Sequence, residues 1–171
     1  FGDGDVDELF DDAIRIVVAD QISAGVDIVS DGELRRQRFV YEMYDRIDGL
    51  SRVPPRRRLG IPGYDMAPGF VADEIPTVKN GLGVVADFVA LKRLEPTRPL
   101  KVALPGPLTF AASINASHVG TTTVLDALVE MVRTELEALV AAGADYVQLD
   151  EPSLPHPPYD LAPEEGAQVI N

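Results

Sequence analysis

Apolar residues recur at intervals of three and four through the opening stretch, with Phe10, Ile14, Val17 and Val18 on one face, and predict a helix over 6–24. A run at 26–31 follows and predicts a strand. Val40, Met43, Tyr44 and Ile47 share helical register, so a second helix is expected from about Leu34 to Ile47, stopped by Gly49. From 50 to 76 the prolines Pro54, Pro55, Pro62, Pro68 and Pro76 break any period, and a long irregular Pro/Arg-rich insertion is expected. Helical spacing returns from Leu82 to Leu94 and ends at Pro96. A short apolar strand over 100–104 closes on Pro105-Gly106-Pro107. The clearest amphipathic stripe, Leu125, Leu128, Val132, Leu136 and Leu139, predicts a helix over 122–142. A strand at 146–150, a Pro-rich turn and a helix start near Pro163 complete the chain.

Strands alternating with helices imply an α/β fold with a parallel sheet and right-handed crossovers. A full eight-stranded β/α barrel needs about 250 residues. These 171 residues read as roughly the first half of such a (β/α)8 barrel, one partial catalytic domain over 1–171. The chain opens on Phe1 and reaches Asn171 inside a new helix, so it is expected to be part of a longer polypeptide.

The last strand breaks the ordinary pattern. Buried parallel strands are near-continuous aliphatic runs, yet in Tyr146-Val147-Gln148-Leu149-Asp150-Glu151-Pro152 polar Gln148 and Asp150 alternate with Val147 and Leu149. Acids at the C-terminal end of a parallel strand lie where α/β proteins place their chemistry. The first strand has the same layout. Counting from Gly25 and from Gly143, Asp falls second, Val fourth and Glu eighth, giving Asp27, Val29, Glu33 and Asp145, Val147, Glu151. Two such strand ends predict that Glu33 and Asp150 line one pocket.

Composition narrows the partners. The net charge of −13 argues against a nucleic-acid surface, which needs clustered positive charge, and disfavours anionic membranes. No apolar run approaches the roughly 20 residues of a membrane span, so a cytoplasmic protein is expected. The acids Asp3, Asp5, Asp7 and Glu8 suit the dipole of the opening helix and read as a solvated end. With no cysteine and two histidines, His118 and His156, an all-protein zinc site is not expected within this sequence. Arg52, Arg56, Arg57 and Arg58 are either a solvated loop or a clamp for a substrate carboxylate. His156 is either a proton shuttle or a surface residue, and His118 reads as inert. Arg35 and Arg36 are placed to pair with the acids near them.

Three segments, Val29-Ser30-Asp31-Gly32-Glu33-Leu34-Arg35-Arg36, Leu104-Pro105-Gly106-Pro107-Leu108-Thr109 and Gln148-Leu149-Asp150-Glu151-Pro152-Ser153-Leu154, together resemble the catalytic barrel of the cobalamin-independent methionine synthase family. The resemblance implies a zinc-dependent S-methyltransferase of the 5-methyltetrahydropteroyltriglutamate–homocysteine type. In that family a methyl group passes from a small donor such as a methyl-folate to a zinc-bound thiol such as homocysteine. It implies that Glu33 and Asp150 hold the ammonium group of the acceptor, with Glu151 and Arg36 behind them. The family's zinc ligands, a His-x-Cys pair followed by a Glu and a Cys, follow the Asp-Glu-Pro strand and have no counterpart here. The aromatic that stacks on folate in the family stands here at Ser113 or a near neighbour, which leaves the donor open. Two other readings stand beside this one: a barrel of the uroporphyrinogen decarboxylase kind, and a non-catalytic fragment or remnant barrel.

Overall fold

The computed structural model describes residues 3–36, 38, 40–57, 66–155 and 157–170. Its elements are α1 (Asp3–Ser23), α2 (Val40–Tyr44), β1 (Ile47–Arg57), β2 (Met66–Val78), α3 (Val84–Leu94), β3 (Lys101–Pro105), α4 (Pro107–Ala111), β4 (Ile114–Asn115), α5 (Thr121–Ala141), β5 (Tyr146–Asp150) and α6 (Pro163–Val169). The chain is thus α/β.

β3 and β5 pair in parallel, Lys101 opposite Tyr146 through Pro105 opposite Asp150. On the other side of β3 the expected first strand is reduced to one parallel bridge, Val29 to Leu100. The Lys101 N–H donates to the Val29 carbonyl at 2.8 Å, and the Val29 N–H to the Pro99 carbonyl at 3.2 Å. The reduction has a local cause: Gly32 and Glu33 both take positive φ, 66° and 58°, and turn the chain out of extended geometry. The order 29–β3–β5 still places three C-terminal ends side by side.

The described residues 50–57 and 66–76 correct the expectation of an irregular insertion, while 58–65 lie outside the described residues. β1 and β2 form an antiparallel hairpin, and β2 also pairs in parallel with β4. Proline removes a ladder donor and is confined to strand edges and bulges. Here Pro54 and Pro55 fall in the irregular step between Val53 and Arg56, with Pro68 opposite, and Pro76 lies in the step between Ala72 and Thr77. The prolines that argued against a strand mark its bulges. The second helix is also shorter than expected, five residues against about fourteen.

The core lies between the parallel strands and the helices. Ile14 and Val18 of α1, Phe88 and Leu91 of α3, Val102 and Leu104 of β3 and Val124, Leu128 and Leu139 of α5 are all buried. An aromatic group ties the hairpin to this core. Tyr44 stacks on Phe70 at 4.2 Å and meets Phe110 edge-on at 5.5 Å, and its hydroxyl donates to the Phe110 carbonyl at 2.6 Å.

One charge is buried within the α5 stripe. Glu135, 3 % exposed, accepts from the Leu82 N–H at 2.7 Å, the Val84 N–H at 2.9 Å and the Val85 N–H at 3.1 Å. Helix starts leave N–H groups without intrahelical partners, and here a carboxylate from a neighbouring helix satisfies them. Glu135 therefore fixes where α3 begins. Glu135→Ala should lower unfolding free energy by about 3 kcal/mol, because it leaves buried donors unmet. Denaturant melts check this; a loss below about 1 kcal/mol, the worth of one ordinary hydrogen bond, would contradict the capping role.

Candidate functional site

The turn after Val29 is built from both sides. The Gln21 side chain of α1 pins Ser30, donating to its carbonyl at 2.9 Å and accepting its N–H at 3.0 Å. Buried Asp31 accepts the Glu33 N–H at 2.9 Å and holds Glu33 in its left-handed conformation. Arg35 turns away onto α1, pairing with Asp7 at 2.8 Å and Asp11 at 2.6 Å. Asp7 therefore does more than solvate a helix end, and Arg35 pairs with α1 rather than with Glu33.

Arg36 turns inward. Its side chain is 6 % exposed, its Nη1 donates to the Ala103 carbonyl at 3.0 Å, and its guanidinium lies 3.7 Å from Glu33 and 3.6 Å from Asp87 of α3. Asp87 has no mark in the sequence that singles it out, since an acid in the first turn of a helix is ordinary.

At the other strand end, Lys101 Nζ donates to Gln148 Oε1 at 3.0 Å and Gln148 Nε2 to Asp150 Oδ1 at 2.6 Å. The alternating polar residues of β5 therefore form one hydrogen-bonded row. Glu33 feels this row. Burial pushes its carboxyl above the ordinary value, Arg36 opposes that, the Asp31 and Asp150 carboxylates add to it, and Lys101 opposes it. The Asp150 charge thus acts on Glu33 across the C-terminal end of β3, which lies between their two segments.

Glu151 does something else. Its carboxylate accepts the Leu108 N–H at 2.8 Å, the Thr109 N–H at 3.0 Å and the Thr109 hydroxyl at 2.9 Å. It anchors the Gly-Pro-Leu-Thr turn to the end of β5, aided by the Gly106 N–H donating to the Asp150 carbonyl at 2.9 Å. Burial raises its carboxyl, and the bonds from Thr109 and Leu108 oppose the shift. A side chain on Gly106 would overlap the Glu151 carboxylate, which is why glycine stands there.

The remaining candidates lie apart. Arg52 pairs with Asp45 and lies 5.8 Å from the Phe70 ring centre, so it braces the hairpin. His118 is exposed in a loop. His156 and Arg58 lie outside the described residues, as do the side chains of Arg56 and Arg57. Among the described residues no three His, Cys, Asp or Glu side chains are grouped to hold a metal ion, so these residues do not fit a zinc site. Among them, too, no helix is long and apolar enough to cross a membrane.

Charged groups gathered at the C-terminal edge of parallel strands define the class: an α/β protein with a polar site where such folds bind small ligands. Residues 1–157 match the model of the cobalamin-independent synthase catalytic domain, and the chain belongs to that family. A methionine synthase of Sulfurisphaera tokodaii is 34% identical over 153 residues, 89% of this chain and 44% of that protein. One from Saccharolobus islandicus is 35% identical over 153 residues, 89% of this chain and 45% of that protein. A B12-independent methionine synthase from Shewanella sp. W3-18-1, solved in complex with selenomethionine, superposes with a TM-score of 0.72 at 28% identity, over 90% of this chain and 45% of that one. The chain spans less than half the length of these relatives.

Two outcomes follow from the geometry. Gly106→Ala must displace Glu151 from the Leu108 and Thr109 donors and should cost about 2 kcal/mol or more in denaturant melts; an unchanged midpoint would contradict the lock. Burial pushes the Asp87 carboxyl up to about 6, with Arg36 opposing. Because the folded value lies above the ordinary 3.8, the folded chain holds a proton that the unfolded chain has released between those two pH values. Stability should therefore fall as pH rises through that window. Carboxyl-carbon NMR should place the Asp87 midpoint near 6; a midpoint at the ordinary aspartate value would contradict this.

Proposed function

We propose that this chain is the acceptor-binding part of a methionine synthase that works without cobalamin, passing a methyl group to the thiol of homocysteine. Its fold would then be one half of a (β/α)8 barrel acting in the cytoplasm. What supports this reading is the placement of Glu33 and Asp150 at the C-terminal ends of the two segments that flank β3, with the Asp150 charge acting on Glu33. Carboxylates facing one space repel, and a cation between them relieves that repulsion. The α-ammonium of an amino acid is such a cation, and charge-assisted hydrogen bonds fix its direction as well as its position. The Shewanella relative's complex is with an amino acid that carries this group.

On this reading the two residues orient the acceptor and do not activate it. A carboxylate engaged with an ammonium ion is poorly placed to take a thiol proton as well. The zinc that the family implies would lower the thiol's proton affinity when bound. No ligand set for it exists among the described residues, so no step is assigned to it here. Methyl-folate and other small donors both remain compatible with the residues near Ser113.

The test is replacement of each carboxylate by its amide in the complete gene product. A hydrogen bond to a charged group is worth about 1.5–3 kcal/mol, so Glu33→Gln and Asp150→Asn should each weaken homocysteine binding roughly ten- to a hundredfold. Melting temperature should hardly move, because both side chains lie at the open edge. Calorimetric titration with homocysteine checks this, and wild-type affinity in both variants would refute the assignment.

A further inference from the structure

A guanidinium next to an ammonium-binding carboxylate is a competitor for it. Arg36 carries one positive charge within reach of Glu33, the group expected to receive the substrate's positive charge. Were Arg36 to close fully onto Glu33, the site would be neutralised from within. The geometry shows what opposes this. Arg36 is stretched between two acids, with Nη2 3.7 Å from Glu33 on the open side and Nε 3.6 Å from Asp87 on the helix side. Neither distance is that of a tight ion pair. The Nη1 bond to the Ala103 carbonyl at 3.0 Å anchors the fork to β3.

Asp87 is fixed more firmly than a surface acid would be. It lies in the first turn of α3, whose start is held by the three N–H bonds to Glu135. Its own side chain is 18% exposed, against 38% for Glu33. The acid on the protein side is the sheltered one, and the acid on the ligand side is the open one.

We propose that Asp87 is a positioning residue for acceptor binding: by holding Arg36 on the α3 side, it leaves the Glu33 carboxylate free for the substrate's ammonium group. This rests on the reading of Glu33 and Asp150 given above. Asp87 touches no substrate atom and acts only through Arg36.

The experiment compares two ligands that differ only in that group, L-methionine and 4-(methylthio)butanoate, titrated calorimetrically into the complete gene product. Wild type should prefer L-methionine. Asp87→Asn should reduce that preference about tenfold by weakening L-methionine alone, since Arg36 then settles on Glu33. The double variant Arg36→Met with Asp87→Asn removes competitor and restraint together, and should return the preference to within about threefold of wild type. General damage to the fold would weaken both ligands and would worsen in the double variant. Wild-type preference in Asp87→Asn, or no recovery in the double variant, overturns the proposal. If Asp87→Asn does not fold, the charge-balanced double variant decides alone: retained preference supports the role and lost preference overturns it. A wild type that does not distinguish the two ligands would instead bring down the ammonium-site reading, and this inference with it.

Discussion

A guanidinium taken out of water has to be answered with charge and hydrogen bonds, because its desolvation costs several kcal/mol in a protein interior. Arg36 is that group here. It is buried, and its answers come from three separate parts of the chain: the Glu33 turn, Asp87 of α3 and the Ala103 carbonyl of β3. Meeting the needs of this one side chain therefore sets the distance between the turn, the helix and the strand. Those are the elements that frame the site.

Carboxylates do the complementary work. Glu135 starts α3, and Glu151 ties the Gly106–Thr109 turn to the end of β5. In both cases an acid from one element satisfies N–H groups that have no intrahelical partner at the start of another. Such bonds are strong because the acceptor is charged, and they are directional. They fix the starts of α3 and α4, whose apolar residues pack in the core, and so hold the polar edge in shape.

The long helices α1, α3 and α5 and the strand β5 were legible because their signals are local. The α5 stripe and the polar alternation of β5 survive intact, and both depend on residues only a few positions apart. Segment 50–76 was not legible, because proline reports a missing donor and not where that donor would have pointed. Here the prolines fall in register steps of a hairpin, a fact set by its partner strand. The repeat counted from Gly25 and Gly143 made Glu33 and Glu151 counterparts. The structure gives Glu151 to the start of α4, a role the count did not show. A count along the chain cannot tell which way a side chain leaves a strand end. Asp87 and Glu135 escaped notice for a related reason: each is an ordinary helix acid until a partner about fifty residues away meets it.

The central claim is that Glu33 and Asp150, at the ends of the two segments flanking β3, receive an amino acid by its ammonium group. A crystal structure of the complete gene product with L-methionine bound tests it most directly. The account predicts the ligand's nitrogen within about 3 Å of both the Glu33 and the Asp150 carboxylates, with Arg36 still between Glu33 and Asp87. A ligand bound at that edge with its nitrogen directed away from both acids would contradict it.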